Sequence, residues 1–195
     1  MTWSEMALVA LGMLAVGLVL AWRGASRLDR LHRKVAASRI ALDAQLVRRA
    51  STAVELAASG ALDPASAVLV ADAAYTASDV GPVTSPAAAL QMDGLGPDRE
   101  RAESGLTATL REAMGAPEAI RTLLAGPSGD VVAGLAAAWY RATLARRFHN
   151  EAVAQARRVR RLWYVRLFRL AGHAPMPRTV ELDDALPHAL ELGGG

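Results

Sequence analysis

The 195-residue chain carries a net charge of +3 and no cysteine, and 52% of its residues are apolar. The lack of cysteine excludes disulfides and thiolate metal sites, and the length suits one compact domain. Abundant Ala, Leu and Arg with only 5% aromatic residues predict an all-α fold, because these are strong helix formers and sheets favour aromatic and β-branched residues.

Residues Met6 to Trp22 carry no charge. This run is about the shortest that crosses a hydrocarbon core of roughly 30 Å at 1.5 Å per residue. Trp3 and Trp22 flank it, where amphipathic rings favour the headgroup level. Arg23, Arg27, Arg30, Arg33 and Lys34 follow the run, and Glu5 precedes it. The positive-inside bias then predicts an uncleaved single-pass anchor over 1–22, with the N-terminus outside and the bulk of the chain cytoplasmic. A cleaved signal peptide needs a positive n-region and a small-residue cleavage site, whereas here the n-region is acidic and Trp22-Arg23 follows. The small residues Gly12, Gly17 and Ala21 are ordinary for a span. Lys and Asn each occur once, a bias read as GC-rich bacterial coding and hence a bacterial cell membrane.

The first helix is expected to continue out of the anchor to Ser59, with Leu28, Leu31, Val35, Leu42 and Leu46 at helical spacing. Gly60 stops it. Asp63-Pro64 restarts a helix, Asp as N-cap and Pro at the first helical position, and this second helix carries Val68, Leu69, Ala71 and Tyr75. Residues 81–97 hold three Pro and three Gly, with a short turn expected at Ser85-Pro86. Asp98 to Met114 predicts a third helix, and Pro117 to Leu124 a short one that Gly126-Pro127-Ser128-Gly129 breaks. From about Asp130, Leu135, Ala138, Ala142, Ala145, His149, Ala152, Ala156, Val159 and Trp163 alternate spacings of three and four. This Ala-rich seam predicts long antiparallel helices with coiled-coil geometry, ending at Gly172 and Pro175. The helical bundle is thus expected over 23–171. The tail 172–195, with Glu181, Asp183, Asp184 and three terminal Gly, is read as disordered for want of apolar content.

Charge is segregated along the chain. Eight basic residues face three acidic ones from Arg23 to Glu55, four face ten from Asp63 to Asp130, and nine Arg face Glu151 alone from Val131 to Leu170. Basic and acidic helices can pair within the bundle, and basic ends can lie near anionic lipid, at about 1 kcal/mol per Arg. The Arg-rich stretch 157–170 interleaves with Leu162, Trp163, Tyr164, Leu167, Phe168 and Leu170. On a helix, Trp163, Leu167 and Leu170 share one side and Arg158, Arg166 and Arg169 the other, the composition of an interfacial helix. Arg158, Arg161, Trp163, Arg166, Leu167 and Arg169 are therefore assigned to the membrane interface with Trp3 and Trp22. Nucleic acid is the rival ligand of such an Arg cluster, but no DNA- or RNA-binding motif accompanies it.

No catalytic constellation emerges. Gly94-Leu95-Gly96 lacks the third Gly and the preceding strand of a dinucleotide fingerprint. Arg111-Glu112-Ala113-Met114-Gly115 echoes a pyrophosphate-hydrolase (Nudix) box without its metal-binding Glu pair. Ser128 lacks a strand-turn-helix context and reads as a helix cap. His32, His149, His173 and His188 have no ligand spacing, and His149 is read as a buried, hydrogen-bonded seam residue. No cofactor or small-molecule substrate is expected.

Ala145-Arg146-Arg147-Phe148-His149-Asn150-Glu151-Ala152-Val153 resembles the A-R-R-F-Y-N-x-A-V signature of the LemA family, and Leu42-Asp43-Ala44-Gln45-Leu46-Val47-Arg48-Arg49 resembles its earlier I-D-x-Q-L-x-R-R element. The likeness covers about Met6 to Arg160. It departs at His149, which replaces the signature Tyr, at Ser51–Leu56, which lacks the usual Pro-Asn, and at Trp139-Tyr140, which replaces Glu-Asn. It implies a membrane-anchored antiparallel helical bundle and no settled activity. Structural roles are expected for Gln45, Arg48, Arg49, Arg146, Arg147, Phe148, His149 and Asn150: the Arg residues bracket the acidic middle, and Gln45 and Asn150 cross-link helices. The functional expectation is a non-enzymatic scaffold meeting anionic lipid and a protein partner at the inner membrane face. A hydrolase and an Arg-rich tether to nucleic acid are the alternatives. The segment 169–181 reads as a tail motif without an assigned mechanism.

Overall fold

The computed structural model describes residues 2–79, 94–172 and 175–191. All regular structure among them is helical. The expected turn at Ser85-Pro86, together with His173 and the terminal glycines, lies outside the described residues.

Helix α1 (Trp3–Ala58) is unbroken over 56 residues. Near its N-terminus it is long and apolar enough to cross a membrane, and the residues of that stretch are not buried in the fold. Burial begins at Gly24 and continues at helical spacing through Leu28, Val35, Leu42, Leu46, Ala50, Ala53 and Leu56. One helix is thus apolar all round in its first third and amphipathic in the rest, which is how a span that continues into a bundle reads.

Helix α2 (Pro64–Asp79) begins as expected. Asp63 Oδ1 accepts from the backbone N–H groups of Ala65 and Ser66, both at 3.1 Å, and the Ser66 hydroxyl first, then these backbone bonds, hold its carboxyl below the usual range. Its buried face is Val70, Ala74 and Ala77. Val68, Leu69 and Tyr75 point outward, the opposite of what their apolarity suggests. Small residues win the inner face because α2 lies close against α1 and α3 (Pro97–Met114). The short α4 (Pro117–Ala125) leads to α5 (Gly129–Arg160).

Helices α1 and α5 form the spine and run antiparallel. Leu28 packs with Val159, Val35 with Ala152 and Ala156, Leu42 and Leu46 with Ala142, and Leu56 with Leu135. The seam holds from Leu135 to Val159, with Ala145 only half-buried. Alanine on one face lets the axes approach closely, which is why so few large side chains suffice.

Two expectations fail. The last long helix does not reach 171: it stops at Arg160, and Leu162 is extended (φ −63°, ψ 136°). A five-residue helix, α6 (Trp163–Leu167), and a tight hook follow. Carried on straight, α5 would run its arginines beside the apolar third of α1; the break instead folds Val165 onto Leu28. Trp163, the last seam position, is exposed.

The tail is not loose either. Residues 175–187 have no regular secondary structure and lie along α3 and α5, burying Val180, and α7 (His188–Glu191) carries buried Leu190 into the main core. The bundle therefore extends to residue 190, past the expected boundary at 171. Apolar content underestimated the tail because polar bonds from the bundle hold it. Asn150 Nδ2 donates to Val180 O at 3.0 Å and Val180 N donates to Asn150 Oδ1 at 2.8 Å, a side chain imitating a neighbouring strand. Arg146 clamps Asp184 through Nε and Nη2 at 2.7 and 2.8 Å. Trp139 Nε1 donates to Asp184 O, Arg157 Nε to Pro177 O, and Arg111 pairs with Asp183.

Candidate membrane-proximal interface

The hook after α6 is built from the backbone upward. Leu170 N donates to Val165 O and Arg169 N to Arg166 O, at 3.0 and 3.2 Å. Arg169 takes φ 47°. This is a Schellman closure, whose left-handed position Gly normally fills; here an arginine fills it. The hook seats against α1 at Gly24. A Cβ there would come within 2.7 Å of Leu170 Cδ1 and 3.2 Å of Tyr164 Cε2, so a side chain at residue 24 would force Leu170 and Tyr164 to shift. Gly24 lies two residues past Trp22, about 3 Å along the axis.

On the seated hook, Trp163, Leu167 and Phe168 are exposed by 69%, 67% and 44%, an apolar tip, and Trp22 on α1 is exposed as well. Leu170, expected beside Trp163 and Leu167, turns inward instead, a consequence of the broken helix. Beneath the tip, Arg160, Arg161, Arg166 and Arg169 line a cleft of about 840 Å³ floored by Val165 and rimmed by Met176. Arg158 is exposed on α5 and does not line this cleft. Arg160 Nη1 donates to Pro175 O at 2.6 Å. Desolvation lowers the Arg160 pKa; burial, and then the nearby Arg160 charge, lowers that of His32 on the facing turn of α1.

The motif residues divide. Arg49 is fully buried: Nη2 meets Glu103 Oε2 at 2.6 Å, Nη1 donates to Thr107 Oγ1, and its guanidinium lies 5.6 Å from the Trp139 ring centre. Glu103 also accepts from Arg99 Nε at 2.8 Å, and Arg99 reaches towards Asp43 at 3.7 Å. Glu103 thus bridges two buried guanidinium groups between α1 and α3, with Asp43 as the second, more distant carboxylate of the cluster. Arg49 meets the acidic middle as expected; Arg146 instead serves the tail. Arg48, Arg147 and Phe148 are exposed. Gln45 is half-buried and its Oε1 finds no partner among the described residues, so the expected cross-link is absent there. His149 is buried, with Nδ1 3.1 Å from Ser38 Oγ. The Ser38 hydroxyl donates to Val35 O, which leaves it to accept from His149 Nδ1. Burial pushes the His149 pKa down to about 4.

Sequence reading missed Gly24, Asp184 and the Arg99–Glu103 pair. The last had a visible signal, an opposite-charge pair at i,i+4; the other two depend on contacts distant in sequence. Gly94 and Gly96 are turn residues at φ 70° and 88° leading into α3. Ser128 holds the N-cap position of α5 through its carbonyl, without a side-chain cap. The Nudix echo is the C-terminal turn of α3, where Met114 is buried and Arg111 faces the tail. Among the described residues no three His, Asp or Glu side chains gather as metal ligands do. Comparison with family models, with curated proteins and with solved structures finds no match.

Proposed function

We propose that the protein is a single-span, membrane-anchored helical module, N-terminus outside, that holds its bundle against the cytoplasmic face of a bacterial membrane as a scaffold for a protein partner. The observation that carries this reading is the seating of the apolar-tipped hook on Gly24, immediately past the apolar third of an unbroken α1. Anchor, tip and arginines then fall at one level, where interfacial helices keep aromatic residues in the headgroups and arginines by the phosphates. The basic step at Arg23 supports the orientation, and the two motifs that resemble the LemA family fit an anchored bundle.

The test uses the full chain in lipid nanodiscs, with Trp3 and Trp22 replaced by Phe. Brominated lipids should quench Trp163 strongly and buried Trp139 little. A reporter after Gly195 should be cytoplasmic in cells. Unquenched Trp163, or an external reporter, overturns the reading. Crosslinking in intact membranes, compared with a Trp163→Ser/Leu167→Ser variant, then identifies what the module holds.

A further inference from the structure

The structure points to a specific site within this interface: we infer that the cleft of Arg160, Arg161, Arg166 and Arg169 receives the phosphate of one anionic lipid headgroup. The inference rests on the membrane-facing reading of the hook.

Four observations converge on it. First, four guanidinium groups line one cleft. Among the described residues Arg161, Arg166 and Arg169 meet no carboxylate within ion-pair distance, so no acidic side chain competes for them in the cleft. Planar guanidinium forks match phosphate oxygens two at a time, and a cluster of them is the usual protein answer to a phosphate. Second, Arg169 is held in a left-handed conformation that Gly would adopt without strain. Backbone strain kept at one residue directs attention to what its side chain does there, and Arg169 turns into the cleft lining. Third, the cleft has an apolar floor at Val165 and exposed Met176 at its edge, and the apolar tip of Trp163 and Leu167 belongs to the same hook, which suits a ligand that is charged at one end and apolar at the other. Fourth, the cleft hangs from the hook that Gly24 receives, so its depth is fixed relative to the apolar run. A free phosphate would need the first feature alone; the rim and the fixed depth select a lipid.

The test is native mass spectrometry of the full chain released from nanodiscs containing phosphatidylglycerol or only phosphatidylcholine. One phosphatidylglycerol should be retained per chain, and no phosphatidylcholine. Arg161→Gln/Arg166→Gln/Arg169→Gln should reduce retention at least tenfold with an unchanged circular dichroism spectrum. The charge-matched control Arg101→Gln/Arg121→Gln/Arg141→Gln, away from the cleft, should retain the lipid. Replacing the same three cleft arginines by Lys keeps the charge and loses the forks, and should weaken retention at least threefold. Equal loss in the control and cleft variants, or full retention in the Lys variant, overturns the site in favour of diffuse attraction. Displacement of the lipid by millimolar inorganic phosphate overturns the lipid as occupant. If Trp163 is quenched by brominated lipid yet no phosphatidylglycerol is retained, the site falls and the anchored module stands; if Trp163 is not quenched, the module reading falls as well.

Discussion

Replacing Arg169 with Gly separates strain from function at one backbone position. In the Schellman closure of α6, Arg169 sits at φ 47°, where a Cβ costs an L-residue roughly 1–2 kcal/mol. Gly removes that cost but loses more chain entropy on folding, an offset of about 0.5–1 kcal/mol. The net is a hook more stable by roughly 0.5–1 kcal/mol, or about two- to fivefold in its closing equilibrium, since 1.4 kcal/mol is tenfold. The Leu170 amide, bonded to Val165 O at 3.0 Å, reports the closure directly. Its hydrogen exchange, measured for the full chain in nanodiscs, should slow by that factor. Retention of phosphatidylglycerol should fall in the same sample, because one of four cleft guanidiniums is gone. Faster exchange of Leu170 would refute the reasoning, for it would mean that the arginine side chain holds the hook and the backbone strain is not real.

Three further outcomes follow from the interior. Glu103→Gln strands the buried guanidinium of Arg49, leaves Arg99 with Asp43 alone at 3.7 Å, and should destabilise the bundle by about 3–5 kcal/mol in denaturant unfolding; a change below about 1 kcal/mol would mean that the cluster is solvated. Ala152→Leu should overpack the α1–α5 seam at a cost of roughly 1–3 kcal/mol, whereas Ala154→Leu, on the exposed side of α5, should stay within about 0.5 kcal/mol. Equal thermal shifts at both sites would refute the seam. For His149, a folded pKa of about 4 against about 6.5 unfolded means that the unfolded chain binds the extra proton between these values. Its contribution is therefore full above about pH 6.5 and is lost progressively as pH falls to about 4, a total of roughly 3 kcal/mol. His149→Gln should flatten that part of the stability profile, and an unchanged slope would exonerate the histidine.

The spine of this fold was legible because it is periodic. Leu28, Val35, Leu42 and Leu46 on one helix and the Ala seam on another carry their burial in their spacing, and Asp63-Pro64 announces a helix start by chemistry alone. The tail was not legible, because its attachment is polar and supplied by residues 15 to 79 positions away: nothing near Val180 signals that Asn150 will complete its backbone bonds. The inner face of α2 was not legible for a related reason. Val68, Leu69 and Tyr75 are the larger apolar residues there, but the gap between α1 and α3 admits only side chains the size of Ala74 and Ala77 with Val70. In the Arg-rich stretch, Arg157 to Leu170, composition suggested one continuous helix, and the structure breaks it after Arg160. The break after Arg160 is decided by what lies alongside it, the apolar third of α1, and no local breaker marks it.

The unbroken course of α1 has a mechanical consequence. From Arg23 to Ala58 the helix extends about 54 Å past the apolar run at 1.5 Å per residue, with no hinge between the two parts. A span that tilts by about 20° in the bilayer swings the far end of such an arm through roughly 18 Å. Under the proposed anchoring, bilayer thickness, or a second helix leaning on the anchor, would be converted into displacement of Leu56, α2 and α4 at the distal end. The hook at Gly24 would act as the fulcrum: with its tip in the headgroups it would tie the pivot to the surface, so that changes of tilt become motion of the bundle rather than of the joint.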